Sequence, residues 1–427
     1  MRKLVFFIFF LTLTTAMIAQ TRNLSFYQNK ARENSPLINK SNNNNKIVQL
    51  DLRQVNSILK KPTINLEAGI LFAPIISHDN NTNSFRWVSE TASDYVGYDQ
   101  AYSDGGQYQG FISLKQGILN GSRYKDYENM AEISKRINEN DIILNEHEIN
   151  QLVSHQYILC LKAKKQMEIS KQLKADMESQ LITMQKLVEK AIYRQTDLML
   201  LQIELQNYQL MFSTYQSEYQ NNISDLNLLC GIDDRADFEL AETNFHIKPD
   251  TLGESFFLGS FNLDSLGINS NQVIFEQRYK PRLDLFATAG MNSVYLPYLR
   301  RFGFSTGLTF KWNIFDGHQK RFEREKTTIK LQTLNFEKQN FMIKHKVNKN
   351  KYLGNIASIE QRINITDKQL EDYENLLQVY SMEISQAQIS VMDLKNLFKD
   401  IAFKKQENLD LRMQEQALIN LYNYWNF

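Results

Sequence analysis

Two acids invite a chemical reading because they recur. Asp197 stands in Gln195-Thr-Asp-Leu198 and Asp393 in Val391-Met-Asp-Leu394, at an offset of 196 residues. Rings of carboxylates line pores that favour cations, whereas an acid in the first turn of a helix caps it and complements its dipole. Both readings stay open, and they are compatible. No other residues compete as a reactive centre. The six histidines (His78, His147, His155, His246, His318 and His345) include no pair at HExxH or HxH spacing, so no metal site is expected. Two cysteines, Cys160 and Cys230, cannot build a disulfide scaffold. There is no Gly-rich phosphate loop, no GxSxG and no nucleophile with a base pattern beside it, so the chain is read as having no catalytic residues and no cofactor, and as no enzyme.

The elements that must hold these acids are long. The chain has 427 residues but only 16 Gly and 6 Pro to interrupt them. Its 49 Lys+Arg against 48 Asp+Glu leave a formal charge of +1, without the basic excess that a nucleic-acid partner requires. Residues 1–19 carry two basic residues, an apolar stretch from Leu4 to about Leu13 and small residues at Ala16 and Ala19, the pattern of a secretory signal cleaved after one of those alanines. Beyond residue 20 no run of about 18 apolar residues occurs. Any entry into a membrane must therefore be by strands.

The sequence is duplicated. Ser113-Leu-Lys-Gln-Gly-Ile-Leu-Asn-Gly121 lies over Thr309-Phe-Lys-Trp-Asn-Ile-Phe-Asp-Gly317 at the same offset of 196 that relates the two acids. Upstream of these segments, Pro62 and Pro281 each open a stretch of alternating residues. The first copy is longer there by about 23 residues, placed in a loop over 77–107 that is rich in Asn, Ser, Asp and Gly. Ile64, Leu66, Ala68, Ile70 and Phe72 alternate with Asn65, Glu67 and Gly69, and Tyr108, Gly110, Ile112 and Leu114 with Gln109, Ser113 and Lys115; the second copy repeats the pattern around Leu283–Met291 and Phe304–Trp312. Each stretch is about ten residues, the length of a tilted membrane strand. By alternation alone, two hairpins on a soluble core are an equal reading.

Helical arms follow the strands. Leu201, Leu205, Tyr208, Phe212, Tyr215, Tyr219, Ile223 and Leu226 form a stripe of near-heptad period. Leu173, Met177, Leu181, Met184, Val188 and Ile192 do the same in the preceding arm. From Ser122 to Ile192 there is no Gly or Pro, which allows a helix of about 70 residues and about 105 Å. If the first hairpin turns near Gln195, Cys160 and Cys230 fall at one height; a periplasmic disulfide and two buried free thiols both remain possible. Four strands leave open edges that lipid cannot satisfy, and small barrels need about eight. Three copies sharing 12 strands would meet that need.

In this arrangement the chain resembles the TolC-like outer-membrane efflux proteins. The resemblance spans the mature chain. It rests on the duplication, the strand-opening prolines Pro62 and Pro281, the segment Phe310-Lys-Trp-Asn-Ile-Phe-Asp-Gly317 and the paired tips at Asp197 and Asp393. It implies a mainly α fold with a β portion: a homotrimer with a 12-stranded barrel in outer-membrane lipid, continued into the periplasm by an α-helical coiled-coil barrel. It also implies partnership with a periplasmic adaptor and an inner-membrane transporter. The expected function is an exit duct of a tripartite efflux pump or type I secretion system, passing small toxic compounds or polypeptides. A non-conducting periplasmic coiled-coil scaffold or adaptor is the alternative.

The domain reading is a signal over 1–19 and a first repeat over 20–230, with strands about 63–73 and 108–116 and helices about 122–192 and 197–229. An equatorial region over 231–261 leads into a second repeat over 262–427, with strands about 282–291 and 302–313 and helices about 318–388 and 393–422. The aperture is expected at Thr196, Asp197, Asp393, Lys395 and Asn396. Asn396 stands where the family often has a second acid, with Lys395 beside it, which implies a weaker acid ring. Two features depart from the family pattern: Asn42-Asn-Asn-Asn45 interrupts the helix before Pro62, and Gly259 and Gly267 disfavour the one before Pro281.

Overall fold

The computed structural model describes residues 21–73, 75–79, 82–86, 105–233, 239–249, 255–294 and 302–427. Its elements in chain order are α1 (Leu24–Asn34), α2 (Pro36–Lys60), β1 (Thr63–Ala73), β2 (Ile75–Asp79), β3 (Thr82–Arg86), β4 (Gly105–Gly117), α3 (Gly121–Glu189), α4 (Gln195–Cys230), α5 (Phe256–Glu276), β5 (Arg282–Val294), β6 (Phe302–Lys311), α6 (Gln319–Ser385) and α7 (Val391–Trp425). The signal segment over 1–19 lies outside the described residues.

These elements form two compact units, Met1–Ser41 with Asn140–Gly259 and Lys338–Phe427, and Asn42–Glu139 with Ser260–Glu337. The division cuts across both repeats, because α3 and α6 each supply residues to both units. The second unit holds a four-stranded antiparallel sheet in the order β1-β4-β5-β6, so the strands of the two repeats join into one sheet along β4 and β5. β2 and β3 form a separate antiparallel pair. Part of the segment expected as loop is thus a hairpin.

Register carries the alternation across the whole sheet. Leu66 pairs with Ile112, Ile112 with Ala289, and Ala289 with Phe304, all on one face. The other face is mainly polar, though Leu71, Phe111 and Phe286 share it: the Ser113 hydroxyl donates to Glu67 at 2.5 Å, and Thr288 and Ser305 share a hydrogen bond of 2.6 Å. On the apolar face Leu66 is 81% exposed and Phe304 83% exposed. Among the described residues of this unit, no hydrophobic side chain is buried.

The first unit contains the core. Tyr27, Ala31, Val153, Tyr157, Cys160, Leu161, Leu226, Cys230 and Leu240 form one buried cluster, which brings α1, α3 and α4 together. The segment after α4 joins it in extended form: Arg22 and Leu240 make a parallel bridge, and the Tyr157 hydroxyl donates to the Ala241 carbonyl at 2.5 Å. Cys160 and Cys230 share that cluster as free thiols. All eight residues of the α4 stripe are at least half covered.

Two sequence expectations change. α2 continues unbroken through Asn42-Asn-Asn-Asn45 because its covered stripe does: Ile38, Ser41, Asn45, Val48, Leu52, Val55 and Leu59 recur every three or four residues. Asparagine costs only some tenths of a kcal/mol per helical position, which such a stripe outweighs. In α5, Gly267 serves close packing, since a Cβ there would lie 3.3 Å from the Ile137 Cδ1 of α3. The glycine admits a neighbour, and the helix runs on to Glu276.

Candidate functional site

The candidate aperture residues lie where the long helices reverse, and backbone geometry builds both reversals alike. After α3, the Ala191 N–H donates to the Val188 carbonyl and the Ile192 N–H to the Leu187 carbonyl, each at 2.9 Å. After α6, the Ala387 N–H reaches the Ile384 carbonyl at 3.2 Å and the Gln388 N–H the Glu383 carbonyl at 3.0 Å. This is a paired closing motif that normally takes glycine at its left-handed residue. Here alanine fills it twice, with φ of 59° at Ala191 and 58° at Ala387. The turns therefore occupy 190–194 and 386–390, slightly before the expected Gln195.

Each returning helix then uses its acid at once. The Asp197 carboxylate accepts the Arg194 backbone N–H at 3.0 Å. The Asp393 carboxylate accepts the Ser390 hydroxyl at 2.7 Å, while the Asp393 N–H donates to Ser390 Oγ at 3.1 Å. Both acids sit in the first turn of their helices, where they complement the dipole. The capping role is thereby built. Thr196, Asp393 and Asn396 are exposed, and Asp197 and Lys395 are half-buried. Their apolar neighbours are not: Leu198 and Leu394 are buried with Met184, Leu201, Ile384, Val391, Leu397 and Phe398 in one core that joins the two hairpins.

A link missed by sequence reasoning ties the turns directly. The Tyr193 hydroxyl donates to the Ile389 carbonyl at 2.8 Å. These two positions are equivalent in the duplication, so the bond joins the repeats at matching points with a donor that only the first possesses. Burial, then the charge of Asp197, raises the Tyr193 phenol above its ordinary value and keeps it a donor. Glu204 was also missed: it is 2% exposed and accepts Asn207 Nδ2 at 3.2 Å. Burial first, and then the charge of Glu204, pushes the nearby Tyr208 phenol up. Its counterpart in the second repeat, Asp400, is exposed, so the duplication gives no warning of it.

Among the described residues no group of three His, Cys, Asp or Glu is placed to hold a metal ion, and no helix is long and apolar enough to cross a membrane.

Compared by sequence, the chain matches no protein-family model and no curated protein. Compared by structure, it is similar to VceC, an outer-membrane protein of Vibrio cholerae, with a TM-score of 0.68 at 12% identity over 94% of this chain and 96% of that one. The CmeC outer-membrane channel of Campylobacter jejuni gives 0.67 at 12% identity, over 94% and 85%. The MtrE outer-membrane channel of Neisseria gonorrhoeae, solved in its open state, gives 0.68 at 11% identity, over 94% and 88%. Near-complete coverage in both directions, with the strands and helices built as above, makes this the fold of the TolC-like outer-membrane channels.

Proposed function

We propose that the chain is the outer-membrane exit duct of a tripartite efflux pump or type I secretion system, passing small toxic compounds or polypeptides to the exterior. One observation carries this reading: the unit that holds the sheet buries no described hydrophobic side chain, yet presents Ile64, Leu66, Ile70, Phe302, Phe304, Leu308 and Phe310 on one face. Water cannot stabilise that arrangement, because burial of apolar surface is the main favourable term in folding. Lipid on that face and further copies along the two open edges, β1 and β6, supply what is missing. Three copies close a barrel of 12 strands in the outer membrane, and their helices continue into the periplasm as a coiled-coil barrel.

Its partners in this reading are two further copies of the chain, outer-membrane lipid, a periplasmic adaptor and an inner-membrane transporter. Thr196, Asp197, Asp393, Lys395 and Asn396 line the aperture at the hairpin tips. The polar face of the sheet, with its hydroxyls and carboxylates, is suited to a water-filled lumen. The experiment is reconstitution of the purified oligomer into planar bilayers. Discrete single-channel conductance supports the duct; a protein that inserts and oligomerises without conducting returns the reading to a scaffold.

A further inference from the structure

Positive charge gathers where the strands end. A cavity of about 970 Å³ at the foot of the sheet is lined by Arg123, Arg278, Lys280, Arg282 and Lys311, with Phe275, Phe310 and Trp312 in its wall. These cations outnumber their acids. Lys280 meets Asp126 at 2.9 Å, and Arg282 meets Asp284 at 2.9 Å. Arg123 donates to the Lys280 carbonyl at 2.8 Å, and Arg278 lies over the Phe275 ring at 5.0 Å. Among the described residues, neither of these arginines nor Lys311 has a carboxylate partner.

Register sharpens the surplus. Arg282 and Lys311 are direct cross-strand neighbours, and like charges so placed destabilise a sheet. The chain as a whole carries a formal charge of only +1, so the excess is local. Both residues share the alternation of Thr288 and Ser305, which puts them on the polar face, opposite Leu308 and Phe310. On the duct reading, on which this step rests, that face lines the pore. Lys115 occupies in the first repeat the place of Lys311 in the second, so three copies carry six such lysines.

We propose that this basic cavity is an anion-binding station at the foot of the sheet, taking small molecules that join a phosphate, sulfate or carboxylate to an apolar body. The unpaired cations, with Arg282 directly beside Lys311, recognise the anion, as rings of Lys and Arg do in anion-selective pores. Phe275 and Trp312 receive the apolar part, and the volume is that of an ordinary small-ligand pocket.

The test is equilibrium binding of phenyl phosphate to the full-length protein in non-ionic detergent, with inorganic phosphate and phenyltrimethylammonium as comparison probes. Phenyl phosphate is expected to bind saturably, at least tenfold more tightly than either comparison probe. The double variant Arg282→Gln/Lys311→Gln, altered only at exposed positions, is expected to lose at least tenfold in that affinity with its helical content unchanged. Should the double variant fail to fold, Lys311→Gln alone is expected to lose about threefold. Unchanged affinity in the folded variant, or equal binding of the ammonium probe, overturns the anion site; equal binding of inorganic phosphate overturns its apolar half. Binding is read without conduction, so a protein that conducts but does not bind loses only this inference. One that binds but never conducts loses the duct.

Discussion

Asp197 and Asp393 each satisfy a helix N-terminus, so replacing them separates capping from conduction. Asparagine keeps most of the capping ability and removes the charge, at a stability cost of under about 1 kcal/mol. The double variant Asp197→Asn/Asp393→Asn is therefore expected to fold and conduct but to lose block by trivalent cations in single-channel recordings. Unchanged block and selectivity would leave the two acids as caps alone. The cysteines make a second case. Burial pushes Cys160 and Cys230 up to about 12, so both thiols stay protonated near neutral pH, and the reactive form of a cysteine is its thiolate. Neither should react with a thiol reagent at pH 8 in the native protein, and both should react after denaturation. Glu276 is shifted the other way. Its hydrogen bond from Arg324 holds it at about 2, against the opposing effect of burial, with Gln272 and Lys320 assisting. A depressed carboxylate stabilises the fold fully above its ordinary value of 4.5 and loses that contribution as pH falls through about 2. Arg324 is more than half exposed, so solvent screening keeps the pair's contribution small. Glu276→Gln should lower stability slightly in denaturant unfolding at pH 7, with the difference shrinking as pH is lowered to about 2.

Helices and strands were legible wherever periodicity spoke. The apolar stripe of α4 and the alternation of β1, β4, β5 and β6 are tertiary requirements written directly into residue order. What escaped were features that the sequence signals only by exception. Both reversals put alanine where glycine is the usual mark, so the turns could be placed only to within a few residues. Four consecutive asparagines suggested a break in α2 that a continuous covered stripe overrides, and Gly267 suggested a kink where it admits Ile137. At the candidate site, the offset of 196 located both acids, whereas the bond from the Tyr193 hydroxyl ends on the Ile389 backbone carbonyl, an acceptor that every residue carries and that no residue type marks. The left-handed alanines yield an expectation of their own. An L-residue pays roughly 1 kcal/mol in that conformation and glycine almost nothing. Ala191→Gly and Ala387→Gly should each stabilise their turn by up to about 1 kcal/mol, seen as slower amide exchange at 191–192 or 387–388; faster exchange would show that the alanine side chains contribute packing worth more than the strain.

For the assembled molecule the decisive feature is the two-faced sheet. The chain is 50.1 kDa, and on the proposed reading, with the expected signal removed, barrel closure by three copies predicts a detergent-purified particle of roughly 140 to 150 kDa of protein, since fewer copies leave strand edges unpaired. A stable monomer in lipid would end that reading. The two faces should also respond differently to charge. Phe304→Lys places an ammonium on the apolar face and should reduce insertion into liposomes, at a cost of about 2 to 4 kcal/mol if the site lies near the bilayer midplane. Its neighbour Ser305→Lys points the other way and should insert normally. Equal behaviour of the two variants would mean that the exposed face meets something other than lipid.

That same face shapes the life of the chain before assembly. A subunit released into water with its sheet already formed would carry an uncovered apolar wall between two templating strand edges, the combination that seeds aggregation. On the proposed reading, completion of the sheet therefore waits until lipid and sister chains are both at hand. Delivery and folding become one event, and a cell's capacity to escort unfinished copies, more than the stability of the finished product, sets how much of it can accumulate.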